Sequence, residues 1–323
     1  MSLTLKVNLV YGDTGSTKTS RLGDAAEYYA RKTGKPVRGI FSDTGGYGAI
    51  EHLVDQGILI PFILSAQDRG DMLIEDMDKL SRGWWPADPR DSKSKLVYGP
   101  MDGVSAILFD GATSWCQAMM TFHEGAVKYV QASDSIVATG VRVPEMPKDS
   151  FIRSGDYLRR FTGRSDYGGV QARIKEFIRN SAMLPVPAEW SALETKGADE
   201  GKRPVYGPDF IGQALTGVCG PWFGNVLHLD FVPVEAEETI PGINRKIKAI
   251  KAMPFLFTRN HIDPDDPSKV PYMAKTRVDK RLWDKIPTVM EPRLDKFYEL
   301  IDRLQEEAKG MGSPILQTKK ETA

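Results

Sequence analysis

Apolar residues in this chain fall into short continuous runs separated by segments of helical spacing. Val7 to Tyr11 is an apolar, β-prone run, as a buried parallel strand requires. The segment after it sets Leu22, Ala25, Ala26 and Tyr29 on one helical face. Gly34 stands where a C-cap glycine belongs. Pro36 to Phe41, Ile58 to Ser65, Val104 to Phe109, Trp190 to Thr195 and Val226 to Val232 predict further strands, and Met253 to Thr258 and Pro271 to Val278 two late ones. Helical spacing recurs through Glu51 to Asp55, Asp68 to Arg82, residues 112–130, Gly169 to Arg179 and Phe210 to Val218. Trp84 to Lys95 predicts a loop or lid-like excursion, residues 140–166 a loop rich in Pro, Gly and Arg, and Lys196 to Gly207 a polar loop. Alternating strands and helices predict an α/β fold: a mostly parallel central sheet flanked by helices, with late β-strands and a C-terminal helix. The expected organisation is one domain over residues 1–285, an amphipathic helix within 286–310 carrying Leu294, Phe297, Leu300, Ile301 and Leu304 on one side, and a disordered tail over 311–323.

The 323 residues are 41% hydrophobic, enough for a substantial core. Lys and Arg total 43 and so do Asp and Glu, so global charge argues neither for nor against a nucleic-acid partner. Cys116 and Cys219 are distant from one another and show no metal spacing; they fit a reducing cytoplasm. The four histidines are scattered along the chain, and no metal site is expected from them. No apolar run approaches the length of a membrane span and no signal peptide opens the chain, so no membrane partner is expected.

Chemistry enters at Gly12-Asp13-Thr14-Gly15-Ser16-Thr17-Lys18-Thr19-Ser20, between the first strand and the first helix. The pattern G-x-x-x-x-G-K-[ST] aligns Gly12, Lys18 and Thr19 in register, with Thr17 in place of the second glycine. Glycine is favoured there because the backbone approaches phosphates closely, and Gly15 offers part of that freedom. In such a loop, backbone N–H groups wrap phosphates, the lysine reaches the β/γ oxygens and the following hydroxyl ligates Mg²⁺. ATP with Mg²⁺ is therefore the expected ligand pair. The same residues also suit an ordinary strand-turn-helix capped by Ser or Thr.

Val104-Ser105-Ala106-Ile107-Leu108-Phe109-Asp110 delivers one carboxylate to a sheet edge, where Asp110 would hold Mg²⁺ together with Thr19. Gly111 follows Asp110 in place of an acidic general base. Asp43, at the end of the second strand, is the candidate base; it serves equally as a turn Asp before Gly45-Gly46. Glu51 is a weaker candidate.

These blocks resemble the RecA-like P-loop ATPases, closest to the phage-encoded AAA-type branch that includes single-strand annealing ATPases. The resemblance rests on Gly12 to Thr19, on the Asp110 strand followed by Thr113-Ser114-Trp115, and on Ser165-Asp166-Tyr167-Gly168. It continues through Gly207 to Leu215 into Trp222 to Leu229, and ends at Tyr272-Met273-Ala274-Lys275-Thr276-Arg277-Val278. It implies a RecA-like P-loop NTPase domain and a homo-oligomeric ring or filament. In it Lys275 and Arg277 reach the γ-phosphate of a neighbouring subunit, with catalytic roles beside Lys18. It also implies that Trp190 to Thr195 lies beside the Asp110 strand, with Glu194 or Thr195 facing the γ-phosphate as a sensor; either residue also suits a structural polar position at a strand end. The two late cations equally suit solvated charges on an edge strand.

The resemblance further implies single-stranded DNA as a partner. Arg142 to Arg164 mixes Arg142, Lys148, Arg153, Arg159, Arg160 and Arg164 with Phe151, Tyr157 and Phe161, a pairing that suits backbone contact and base stacking; it suits a solvated loop slightly better. Three functions are expected in descending order. The first is a Mg-dependent ATPase acting on single-stranded DNA in phage recombination or replication, in the host cytoplasm. The second is a nucleotide-dependent scaffold with little hydrolysis, and the third a small-molecule P-loop kinase.

Overall fold

The computed structural model describes residues 6–42, 44–64, 73–91, 93–99, 101–125, 137–138, 141–142, 151–154, 157–160, 164–198, 204–210, 213–239, 246–262 and 271–311. It is an α/β fold built on a nine-stranded mixed sheet. The strands are β1 (Val7–Gly12), β2 (Val37–Phe41), β3 (Leu59–Ile63), β4 (Ile107–Asp110), β5 (Ala188–Ala198), β6 (Pro204–Pro208), β7 (Asn225–Thr239), β8 (Lys246–Phe257) and β9 (Val289–Met290). Their order is β9-β8-β7-β1-β5-β4-β2-β3, with β6 beside β5. β7, β1, β5, β4, β2 and β3 run parallel; β6, β8 and β9 join antiparallel.

Alternation along β1 divides the core. Leu9 and Tyr11 face a layer formed by α2 (Leu73–Ser81), α3 (Ala112–Gly125) and α4 (Arg164–Met183), through Met77, Leu80, Trp115, Met119, Ile174 and Phe177. Val10 faces the other layer, made by α1 (Lys18–Thr33) and α5 (Leu294–Gly310), through Leu22, Ala25, Ala26, Phe297, Ile301 and Leu304. Successive side chains of a strand point to opposite faces, which is why one apolar run serves both layers. α1 ends at Gly34, whose N–H bonds Ala30 O. Among the described residues no helix is long and apolar enough to cross a membrane.

Several segments depart from the sequence expectation. Trp84–Pro86 is a strand that pairs antiparallel with Leu96–Tyr98, where a loop or lid-like excursion was expected: Trp85 is buried against Phe62, under the Arg38 guanidinium. The stretch 140–166, expected as loop, holds the pair Phe151–Ser154 with Tyr157–Arg160 among its described residues. α4 begins at Arg164, ahead of Gly168 and Gly169, because its apolar face from Val170 onward is wholly buried and outweighs two poor helix formers. Of Lys196 to Gly207, expected as a polar loop, the described residues lie in paired strands, with Thr195 opposite Gly207 and Lys196 opposite Tyr206. β7 and β8 continue past the sheet as a two-stranded ribbon. Pro271 to Val278 is extended but makes only isolated bridges, Tyr206 with Tyr272, Val226 with Lys275 and His261 with Tyr272, and is not a regular strand. The final residues, 312–323, lie outside the described residues.

Candidate functional site

β1 ends at Gly12 and α1 starts at Lys18, so residues 13–17 form a loop at the carboxyl edge of the parallel strands. A Cβ on Gly12 would stand 2.3 Å from Leu229 O; glycine is what lets the loop leave β1 against β7. Thr17 sits at φ 64, ψ 22, the one non-glycine residue at positive φ among the described residues. The position where a glycine was expected therefore does take the left-handed conformation, and a β-branched residue bears it. Thr17 makes no side-chain capping bond, which leaves the first N–H groups of α1 facing the loop without that cap.

Lys18 folds back over the loop. Its Nζ donates to Gly12 O at 3.0 Å, Asp13 O at 2.7 Å and Ser16 Oγ at 3.2 Å. Burial lowers its pKa, while Asp110, Asp13 and Glu194 act in the opposite sense. Beneath it, Thr19 Oγ1 donates to Asp110 Oδ2 at 2.7 Å. Ser191 Oγ donates to Asp110 Oδ1, and Gly111 N donates to Ser191 Oγ at 2.9 Å. Ser42 Oγ bonds Asp110 O and Gly111 O, each at 3.1 Å. The Asp110 carboxylate is thus held by the Ser191 hydroxyl from β5, and its backbone by the Ser42 hydroxyl at the end of β2; the sequence pattern singles out neither. No spacing marks them: Ser191 and Asp110 are brought together only by the β5–β4 pairing, in which Trp190 stands opposite Phe109.

These groups line a cleft of about 410 Å³ bounded by Thr14, Gly15, Lys18, Thr19, Asp110 and Ser191, among others. Asp110 is the one carboxylate among the described residues that line it. An oxygen-only donor set of a hydroxyl and a carboxylate suits a hard divalent cation such as Mg²⁺.

The other candidates are placed differently. Asp43 lies outside the described residues, and so does most of Arg142 to Arg164. Glu51 is exposed, one residue after the helical turn Gly48–Ile50. β5 lies between β1 and β4, beside the Asp110 strand. Leu193 borders the cleft, whereas Glu194 and Thr195 continue β5 into its pairing with β6. Glu194 turns to His228, Oε2 to Nε2 2.7 Å. Burial and then Asp13 push Glu194 up to about 7, and burial pushes His228 down to about 4. The contact is therefore a hydrogen bond to a neutral imidazole, not an ion pair.

Lys275 and Arg277 stand away from their own loop. Lys275 exchanges backbone hydrogen bonds with Val226, at 2.8 and 2.9 Å, and Val226 pairs with Leu9, three residues below Gly12, a rise of about 10 Å. Arg277 Nη2 donates to Pro221 O at 3.3 Å. Burial, then the neighbouring Arg277, lowers Lys275 to about 8.

A scan against models of known protein families finds no match to the chain, and a search of curated proteins finds none either.

Proposed function

We propose that the chain binds Mg²⁺-ATP on the loop Gly12 to Ser20 and is a Mg²⁺-dependent ATPase of the RecA-like P-loop type. One observation carries the reading: Thr19 Oγ1 and Asp110 Oδ2 meet at 2.7 Å at the foot of a glycine-bearing loop that Lys18 closes. Two sequence blocks 91 residues apart converge there as phosphate and metal chemistry requires. Lys18 would exchange loop carbonyls for phosphate oxygens. Thr19 and Asp110 would hold Mg²⁺, which would neutralise phosphate charge, while Ser191 and Ser42 keep the Asp110 strand end in place. Single-stranded DNA as the polymer and a ring or filament as the assembly are proposed on the resemblance.

A second reading, a nucleotide-dependent scaffold with little hydrolysis, draws on Gly111 after Asp110 and on the single carboxylate among the described lining residues. Calorimetric ATP titration, paired with turnover assays with and without single-stranded DNA, separates the two. Lys18→Ala is expected to weaken ATP binding roughly ten- to hundredfold, the loss of charge-assisted hydrogen bonds. Asp110→Asn is expected to keep the fold and lose Mg²⁺ dependence. Wild-type ATP affinity in Lys18→Ala would sink the assignment; binding without turnover in the wild type would select the scaffold.

A further inference from the structure

His228 and Asp230 lie two residues apart on β7 and so share its face. His261, just beyond the end of β8, is brought against them by the β7–β8 pairing, in which His228 stands opposite Phe257. The candidate ligand atoms of His228, Asp230 and His261 all lie within 4.8 Å of one another. His228 is fully buried, and the other two are partly accessible.

The two imidazoles are held from behind. His228 Nε2 meets Glu194 Oε2 at 2.7 Å, and His261 Nδ1 meets Arg259 O at 3.3 Å. A carbonyl oxygen only accepts, so Nδ1 of His261 carries the proton. Nδ1 of His228 and Nε2 of His261 face one another, 3.2 Å apart. Two imidazole nitrogens on a tetrahedral Zn²⁺ are roughly 3.3 Å apart, given metal–nitrogen bonds of about 2.0–2.1 Å. Ligating histidines characteristically donate their remote N–H to a carboxylate or a backbone carbonyl, and these two have one of each. Asp230, whose Oδ1 accepts from Phe231 N at 2.7 Å, would supply the third donor through its carboxylate and leave a fourth position for water. Ring stacking of His228 on Tyr11 and Tyr272, and of His261 on Phe257, fixes both imidazole planes.

We propose that His228, His261 and Asp230 form a site for a borderline transition-metal cation of the Zn²⁺ class, distinct from the Thr19–Asp110 pair. A two-nitrogen, one-oxygen donor set discriminates against Mg²⁺, which takes oxygen ligands. The Glu194 carboxylate behind His228 ties this site to the phosphate loop, since Asp13 and Lys18 are its electrostatic neighbours. The site stands on its own geometry, whatever occupies the loop.

Full-length protein stripped with a chelator and titrated with Co²⁺ tests it through visible ligand-field absorption. The wild type should develop bands at one Co²⁺ per chain, and added Zn²⁺ should abolish them. His261→Ala should remove the bands. Asp230→Asn, at a partly exposed position that leaves both rings in place, should weaken Co²⁺ binding tenfold or more, with unchanged far-UV circular dichroism. Asp110→Asn should keep the bands. Absence of bands in the wild type, bands unchanged in both the His261 and Asp230 variants, or loss of the bands in Asp110→Asn would overturn the proposal. The last result would place the cobalt at the loop instead.

Discussion

At the scale of single residues, Thr17 is the anomaly of the loop. A non-glycine residue in the left-handed region costs about 1–2 kcal/mol, and Thr17 makes no capping bond that offsets it. Thr17→Gly also restores the second glycine of the phosphate-loop pattern. We expect it to stabilise the fold by about 0.5–1 kcal/mol, after the added chain entropy of glycine is subtracted, and to retain ATP binding. Urea unfolding and calorimetry measure both; a destabilised variant would mean that Thr17 makes a contact that outweighs its strain. The alignment of Gly12, Lys18 and Thr19 is legible in the sequence because contiguous residues carry it. Ser191 and Ser42 are not legible, since their hydroxyls gain a role only from the Asp110 carboxylate and the Asp110 and Gly111 carbonyls that the fold sets beside them.

At the scale of elements, the sheet and both helices of one layer are tied at Glu189. Its carboxyl accepts from Asn8 Nδ2 at 2.8 Å, Tyr29 OH at 2.6 Å and Tyr298 OH at 2.6 Å, joining β5, β1, α1 and α5. Burial pushes its pKa up to about 7 despite those donors, against about 4.3 in an unfolded chain. The folded chain keeps a proton that the unfolded chain has released. Stability therefore falls as pH rises between these two values, by about 1.4 kcal/mol per unit, and levels off above pH 7. Burial also raises Asp24 and Glu194, which tilts the wild-type curve the same way, so the readout is the difference between variant and wild type. Glu189→Gln should gain on the wild type by that slope from pH 5 to pH 7 in chemical denaturation. Parallel curves would show that Glu189 titrates alike in both states. A charged residue inside an apolar run, as in Ala188-Glu189-Trp190, is visible in sequence; its three partners, from two helices and a strand, are not.

At the scale of the whole molecule, Lys275 and Arg277 lie well below the loop of their own chain; in the ring or filament proposed above, they would act on a neighbour's phosphate. An Arg277→Ala subunit should then bind ATP in its own loop yet fail to activate the next subunit. Mixed with Lys18→Ala, it should regain partial turnover, because some interfaces pair an intact Lys18 with an intact Arg277. Each variant alone should be inactive. A mixture that co-assembles and stays dead would reassign both cations to structural or polymer contacts.

The chain alone determined whatever is local. β1, α1 with its glycine stop and the Asp110 strand follow from period and capping, and the α/β class follows from their alternation. What acts across the chain was decided by tertiary structure. The extended segment 271–278 reads as a strand by composition, yet it meets the sheet edge-on at isolated bridges. The four histidines look scattered because 33 residues separate His228 from His261, and a β-hairpin erases that distance. Period and propensity act over a few residues, whereas pairing depends on which strands adjoin. That adjacency put β5 between β1 and β4, set Ser191 against Asp110, and carried Glu194 past the cleft to His228.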